Sequence, residues 1–162
     1  SSHSIEHTPD LIAHLQLVER LILPGGAYFV MAPDKRFTAD RFVPESTIGE
    51  VIEAHHVKRQ RHTLANIIDV GVIRSHNNGE RHWKGDSGVP PISYSPERIR
   101  AAIQDFDNLD EYIDVHAWFW TASHFRVLVN TIADCGFSNL RAVRVYDPPY
   151  PANEFCAILQ AS

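Results

Sequence analysis

The first third of the chain alternates between a helical and a strand pattern of hydrophobic residues. Apolar side chains recur at intervals of four, three and four, which predicts an amphipathic helix over residues 8–22. These positions are Leu11, Leu15, Val18 and Ile22. Thr8 and Pro9 are typical of an N-cap and a first helical position, and the sequence L-P-G-G at 23–26 ends the helix. The continuous apolar run at 27–32 then predicts a strand buried on both faces of a parallel sheet.

The rest of the chain contains further helical patterns, a turn-rich segment and three strand patterns. T-I-G-E at 47–50 is a capping box that opens a helix. Three more helices are predicted over residues 63–69, 95–106 and 123–134. Residues 74–95 carry many turn formers, which predicts a loop or mobile lid. Residues 112–120 predict a strand, and 140–146 with 155–161 predict a closing antiparallel pair.

Composition limits the function classes. A chain of 162 residues suits one domain with a core, and a net charge of −5 does not favour binding to nucleic acid or to membranes. No apolar run reaches the length of a membrane span. Cys135 and Cys156 do not form a disulfide framework; we expect them to be small buried hydrophobes in a reducing, cytoplasmic location.

The opening sequence H-S-I-E-H matches a zinc-peptidase pattern, H-x-x-E-H, at His3, Glu6 and His7. That site needs both histidines on one face of a helix. Proline disfavours helical backbone in the residue before it, so we expect the helix to start after His7 and the motif to lie in a loop. No metal is therefore predicted, and a metal-dependent hydrolase stays as the least favoured alternative.

Four segments follow one another along the chain: S-S-H-S-I-E-H-T-P-D, L-V-E-R-L-I-L-P-G-G-A-Y-F-V-M-A-P-D-K-R, D-V-H-A-W-F-W-T and F-R-V-L-V-N-T-I-A-D-C-G-F. In this order they resemble class I S-adenosylmethionine-dependent methyltransferases. The resemblance covers residues 1–36 and 112–161. It implies an α/β fold with part of a Rossmann-like sheet, in which the predicted strands correspond to the fifth, sixth and seventh and the last two are antiparallel.

The family's glycine-rich cofactor loop is absent from this sequence. The chain therefore resembles the C-terminal half of such an enzyme, a single partial domain over residues 1–162. Residues 37–111 correspond to the variable insertion in which the family places substrate recognition or a lid. The cofactor, S-adenosylmethionine, would be bound mainly by residues outside this chain.

The resemblance places the start of the chain beside the cofactor. Ser1, Ser2 and His3 would lie at the tip of the fourth strand, nearest the methionine end of S-adenosylmethionine. His3 is also a candidate general base, because the pKa of an imidazole is close to neutrality. Glu6 and His7 would help to shape the pocket or the helix entry; the alternative is that they only form local hydrogen bonds at the helix start.

Two further groups are candidates for the acceptor site. Asp34, Lys35 and Arg36 follow the strand at 27–32, where they would contact substrate or form a solvated charged turn. On the predicted strand at 112–120, Asp114, His116 and Trp118 share one face. Asp114 and His116 would form a catalytic pair, and Trp118 would line the acceptor pocket; a water-facing polar edge is the alternative.

We therefore expect methyl transfer to a small-molecule or glycan acceptor, with negligible activity for this chain alone. A non-catalytic binding or assembly domain derived from such an enzyme is the alternative. Without a fourth strand, residues 27–32 would expose an unpaired edge, which favours a homo-oligomer or a covering N-terminal segment.

Overall fold

The computed structural model describes residues 1–108 and 112–161, which form an α/β fold. These residues contain a three-stranded antiparallel sheet and six α-helices. The strands are β1 (Ala27–Pro33), β2 (Leu140–Tyr146) and β3 (Glu154–Ala161). The helices are α1 (Leu11–Leu21), α2 (Ile48–His56), α3 (Leu64–Val72), α4 (Gly79–Trp83), α5 (Pro96–Asn108) and α6 (Ala122–Asp134). Short 3₁₀ turns span Ile5–His7 and Lys35–Phe37.

The sheet has the order β1–β3–β2, with β3 antiparallel to both neighbours. The register pairs Pro33 with Glu154 at one end of β1 and Ala27 with Gln160 at the other. The predicted antiparallel pair at the end of the chain is confirmed. Its register shifts by a β-bulge between Ala142 and Arg144.

The prediction that β1 is buried on both faces in a parallel sheet is wrong. Val30 and Ala32 are buried, whereas Phe29 is 64% exposed and Met31 is 36% exposed. β1 pairs with β3 in the antiparallel direction, and an antiparallel sheet can leave one face open to solvent. Hydrophobicity along the strand therefore did not reveal which face the helices cover.

The outer edge of β1 is partly covered by the first residues of the chain. The nitrogen of Ser1 donates to the Phe29 carbonyl at 2.7 Å. The Met31 N–H donates to the Ser1 carbonyl at 2.9 Å, and the Met31 carbonyl accepts from the His3 N–H at 3.0 Å. Ser2 thus forms a parallel bridge with Met31, and the expected free edge is occupied along this stretch.

Helices α1 and α6 supply much of the core that the sheet covers. Phe125 on α6 is fully buried, with its ring centroid 5.0 Å from that of Trp120 and 5.1 Å from that of Phe155. Helix α2 packs against α1 and adds Val51 and Ala54 to the same core. The middle of the chain is therefore joined to the core built by its two ends.

Helix starts follow the predicted capping chemistry with one exception. Thr47 and Glu50 form the predicted capping box of α2, and Thr63 caps α3 as expected. The first helix is capped by Asp10, whose side chain accepts from the Ala13 N–H, and not by Thr8. Thr8 instead donates its hydroxyl to the Ile5 carbonyl at 2.8 Å, which belongs to the preceding turn.

The prediction of a strand at 112–120 is wrong. Ala117 and Trp118 donate their backbone N–H groups to the Glu6 carbonyl, at 2.7 Å and 3.3 Å, instead of to a neighbouring strand. Strand alternation therefore does not apply, and Trp118 and Trp120 are buried while Asp114 is largely exposed.

Two other sequence expectations also need correction. The segment 74–95 contains helix α4, and Trp83 at its end stacks on Phe37 with a centroid separation of 4.1 Å. Both cysteines are free and exposed: Cys135 caps the end of α6, and Cys156 lies on β3. In the described ranges, no helix is long and apolar enough to cross a membrane.

Phe125→Ala tests the central contact of the core. We expect the free energy of unfolding to fall by about 3 to 5 kcal/mol, because the change leaves a cavity between two aromatic rings. Urea denaturation measures this loss. Val127→Ala on the same helix is the control: Val127 is 61% exposed, so the change should be within about 0.5 kcal/mol. Equal effects in the two variants would contradict this account of the core.

Candidate functional site

A polar cavity of about 260 Å³ lies at the C-terminal end of β1. Its lining combines residues from the start of the chain, from the segment after β1, from α3 and from residues 114–116. The titratable side chains among them are His3, His7, Asp40, Arg74, Asp114 and His116. Distant parts of the sequence therefore converge on one concave site.

Backbone hydrogen bonds bring the start of the chain and residues 114–116 together. Ile5 is fully buried in the core and anchors the 3₁₀ turn, while the His7 N–H donates to the Ser4 carbonyl at 3.1 Å. The Glu6 carbonyl accepts from Ala117 at 2.7 Å. His116 is thereby held next to the turn that carries Glu6 and His7.

His116 is oriented by Asp40, not by Asp114 as predicted. The distance from His116 Nδ1 to Asp40 Oδ2 is 2.6 Å, and the Asp40 side chain is buried. Burial by itself lowers the pKa of His116, but the hydrogen bond and the charge of Asp40, with the charges of Glu6 and Asp114, outweigh it and raise that pKa. The pair is an imidazole held in one orientation by a buried carboxylate.

Asp114 instead contacts His7. The distance from His7 Nδ1 to Asp114 Oδ1 is 2.9 Å, within ion-pair range although the direction is not that of a hydrogen bond. The rings of His7 and His116 meet edge to face, with centroids 4.7 Å apart. Each of these two imidazoles therefore has its own carboxylate, and the two rings are in contact.

Glu6 lies against these imidazoles and is 1% exposed. Among the described residues, neither of its carboxylate oxygens has a hydrogen-bond partner. Oε1 is 3.9 Å from His7 Nε2 and 3.6 Å from His3 Nδ1. Glu6, His7 and His116 each have one potential ligand atom, and these three atoms lie within 4.8 Å of one another. The three residues could therefore hold a metal ion.

His3 stands at the rim of the cavity and is the predicted cofactor-site residue that lines it. Its backbone φ is +46°, in the left-handed region that non-glycine residues rarely adopt. Its Nε2 is 3.0 Å from Glu154 Oε2 at the start of β3. Ser1 and Ser2 are exposed and pair with β1, so their backbone contributes to the strand edge and not to the cavity wall.

Asp34, Lys35 and Arg36, the predicted substrate contacts, hold the end of β1 in place. Asp34 is fully buried and accepts from Arg36 Nε at 2.8 Å and from the first N–H of α6, on Ala122, at 3.1 Å. Lys35 donates its ammonium group to the Arg41 carbonyl at 3.0 Å. The described residues that line the cavity do not include these three.

Trp118, the predicted wall of the acceptor pocket, does not line this cavity. It donates its indole N–H to the Thr8 carbonyl at 2.7 Å, and the Arg59 guanidinium lies 4.7 Å from its ring centroid. It borders a second cavity that also contains Glu50, Glu53 and Asp69. Trp118 therefore links the basic segment at 55–62 to the core.

The prediction of candidate residues missed Asp40 and did not include Glu6 or His7 among the favoured site residues. Asp40 lies in a polar stretch without a motif, and only the fold brings it to His116. Glu6 and His7 did carry a signal, since the sequence matches H-x-x-E-H. In the structure, the histidine that groups with Glu6 and His7 is His116, and not His3, the first histidine of the motif.

His62 is a buried imidazole beside the site. Both ring nitrogens lack a hydrogen-bond partner among the described residues, and the ring centroid is 5.0 Å from that of Tyr112. Burial, with the charge of Arg59, lowers the pKa of His62 to about 4. The folded protein therefore keeps this imidazole neutral.

His62→Leu tests this effect. The unfolded chain binds a proton at His62 below about pH 6.5, whereas the folded protein binds it only near pH 4, so folding stability falls as the pH drops between these values. We expect His62→Leu to remove roughly 3 kcal/mol of that loss in urea titrations at pH 7 and pH 4. The exposed neighbour His56→Leu is the control; an equal effect there would refute the assignment.

No protein-family model, no curated protein and no solved structure matches this chain. The chemistry and position of the cavity are therefore the basis for assigning a function.

Proposed function

We propose that this chain is the C-terminal portion of an S-adenosylmethionine-dependent methyltransferase and that its polar cavity receives the methyl acceptor. The sequence resemblance suggests the enzyme class. The observation that carries the proposal is the parallel pairing of Ser1–His3 with β1, because the resemblance expects the end of a fourth strand at that place.

The position of the cavity supports the same function. In open α/β sheets, ligands bind outside the carboxyl ends of the strands. Pro33 at the end of β1 and His3 at the end of the N-terminal extended segment both line the cavity. A ligand there would meet both strand ends at once.

The open face of the sheet also favours a partial domain. Phe29, Val143 and Tyr146 are 64%, 47% and 49% exposed, whereas the opposite face of the same sheet is covered by helices. A Rossmann-like sheet has helices on both faces. Residues outside this chain would cover the second face in the complete enzyme.

The described residues do not by themselves form a complete cofactor site. The backbone groups of Ser1 and His3 that face β1 are already hydrogen-bonded to it, and the chain has no glycine-rich cofactor loop after a strand. S-adenosylmethionine, when bound by the rest of the enzyme, supplies the methyl group. The part of this chain is to position the acceptor and to take its proton.

The cavity suits a small hydroxylated acceptor such as a single sugar unit or a small molecule. Its lining is rich in carboxylates and imidazoles, which exchange hydrogen bonds with hydroxyl groups. His3 and His116 are the groups placed to receive the acceptor's proton. Holding the acceptor in line with the methyl donor supplies the remaining acceleration. The proposal also includes a cytoplasmic location, since both cysteines are free and exposed.

A non-catalytic assembly domain is the second candidate, and the open face of the sheet favours it. An apolar strand face rimmed by polar residues is typical of a surface that binds another protein. Cofactor binding separates this candidate from the methyltransferase, because only the enzyme requires it.

Calorimetry with S-adenosylmethionine tests the proposal. We expect micromolar binding by the protein that includes the coding sequence upstream of Ser1, and no measurable binding by residues 1–162 alone. The intact mass of the natural protein establishes whether such an upstream segment is translated. Absence of cofactor binding in the longer protein, or absence of any upstream segment, would favour the assembly domain.

His116→Ala tests the role of the cavity in that longer protein. We expect kcat to fall by about 100-fold or more, the effect typical of losing a positioned imidazole, in an assay of demethylated cofactor released with a panel of hydroxylated acceptors. His124→Ala is the matched control, because His124 pairs with Glu45 at 2.9 Å and does not line the cavity. Unchanged turnover in folded His116→Ala would exclude this role.

A further inference from the structure

We propose that Glu6, His7 and His116 bind a divalent transition-metal ion beside the cavity, which His7 and His116 line. One ligand atom from each residue lies within 4.8 Å of the other two. Two imidazoles and one carboxylate are a donor set that Zn²⁺ and Fe²⁺ use in proteins, whereas Mg²⁺ and Ca²⁺ prefer oxygen ligands alone. The donor set therefore points to a transition metal.

The carboxylate of Glu6 is the strongest evidence for a ligand at this place. It is 1% exposed, and neither oxygen has a hydrogen-bond partner among the described residues. A buried carboxylate without a hydrogen-bond partner is unfavourable, because the hydrogen bonds of its lost hydration are not replaced. An ion bound to Glu6 supplies that missing partner.

His116 is oriented in the way that metal-binding histidines usually are, and His7 has a carboxylate close to its Nδ1. Asp40 holds Nδ1 of His116 at 2.6 Å, and Asp114 lies 2.9 Å from Nδ1 of His7. A carboxylate on one ring nitrogen fixes the ring and leaves the other nitrogen, Nε2, available to the metal. His7 Nε2 is also the atom that faces Glu6 Oε1, at 3.9 Å.

The spacing of these atoms requires only small side-chain movements. Ligand atoms around a tetrahedral ion with bonds of about 2.1 Å are roughly 3.4 Å apart. Glu6 and His7 are neighbours in one 3₁₀ turn, and the hydrogen bond from Ala117 to the Glu6 carbonyl holds the residue before it, His116, beside that turn. The backbone is therefore already arranged for the site.

Three protein ligands leave at least one coordination position for a molecule in the cavity. An acceptor hydroxyl bound there would lose its proton more easily, because a divalent ion lowers the pKa of a bound oxygen. With the ion bound, both ring nitrogens of His116 are engaged, and His3 is the imidazole that receives the proton. This role for the ion rests on the proposed methyltransferase function. The metal site itself does not, since it depends only on residues of this chain.

Titration calorimetry with Zn²⁺ on residues 1–162, after removal of metal by a chelator, tests the site. We expect one ion per chain. Glu6→Gln and His116→Asn should each weaken binding by more than about 100-fold, beyond the usual effect of an outer partner. Asp40→Asn keeps all three ligands and should weaken binding by about 10- to 100-fold. Circular dichroism verifies that each variant is folded. If Glu6→Gln does not fold, the weaker binding expected of Asp40→Asn tests the site instead.

His76→Asn is the control variant. His76 and His82 stack outside the cavity with ring centroids 4.2 Å apart, so they are a second pair of adjacent imidazoles at which Zn²⁺ binding has to be excluded. We expect His76→Asn to bind Zn²⁺ like the unmodified chain. Absence of stoichiometric binding, or loss of binding in His76→Asn but not in Glu6→Gln and His116→Asn, would overturn the proposal.

The metal site and the methyltransferase function can fail separately. The Zn²⁺ titration contains no cofactor, and the cofactor titration of the longer protein can be performed in chelator. Zn²⁺ binding without cofactor binding would keep the metal site and reject the methyltransferase. Cofactor binding without Zn²⁺ binding would reject the metal site and keep the methyltransferase.

Discussion

The Glu6 carbonyl is the contact on which the arrangement of this protein depends. It accepts N–H groups from both Ala117 and Trp118 and so joins the start of the chain to a segment more than a hundred residues away. On one side of this junction, Trp118 and the buried Ile5 belong to the core. On the other side, the carboxylate of Glu6 lies close to the imidazole of His116, which lines the cavity. A single backbone junction therefore sets both the packing of the core and the geometry of the site.

The region of the cavity concentrates ionisable groups that would be unfavourable if they were not matched. Asp40 is buried but paired with His116, and His7 is close to Asp114. Glu6 is the exception, because its oxygens have no hydrogen-bond partner among the described residues. A protein does not usually retain such a group without a function, since an apolar residue of similar size would be more stable there. This contrast is the reason for proposing a bound ion beside the cavity.

The open face of the sheet is the structural feature on which both proposed functions rest. β3 lies between β1 and β2, and the outer edge of β1 is covered by only a few residues, Ser1–His3. Helices cover one face, while Phe29 and Tyr146 on the other face are open to solvent. In the proposed methyltransferase, and equally in the alternative assembly domain, other residues would pack on this face. Both functions share this structural requirement, and cofactor binding distinguishes them.

Local chemistry in the sequence determined most of the helices and the last two strands. The capping residues Thr47 and Thr63 and the apolar spacing of α6 were sufficient, because these signals act within one turn of helix. The segment 112–120 looked like a strand by alternation, but its backbone bonds to Glu6. Alternation cannot tell which partner a backbone N–H will find. The sequence selected His3 and His116 as site residues. Only the tertiary structure paired His116 with Asp40, because the position of Asp40 in the chain carries no motif. It also placed Asp34 and Arg36 in a buried structural contact, since long-range packing decides which charged groups remain free for a ligand.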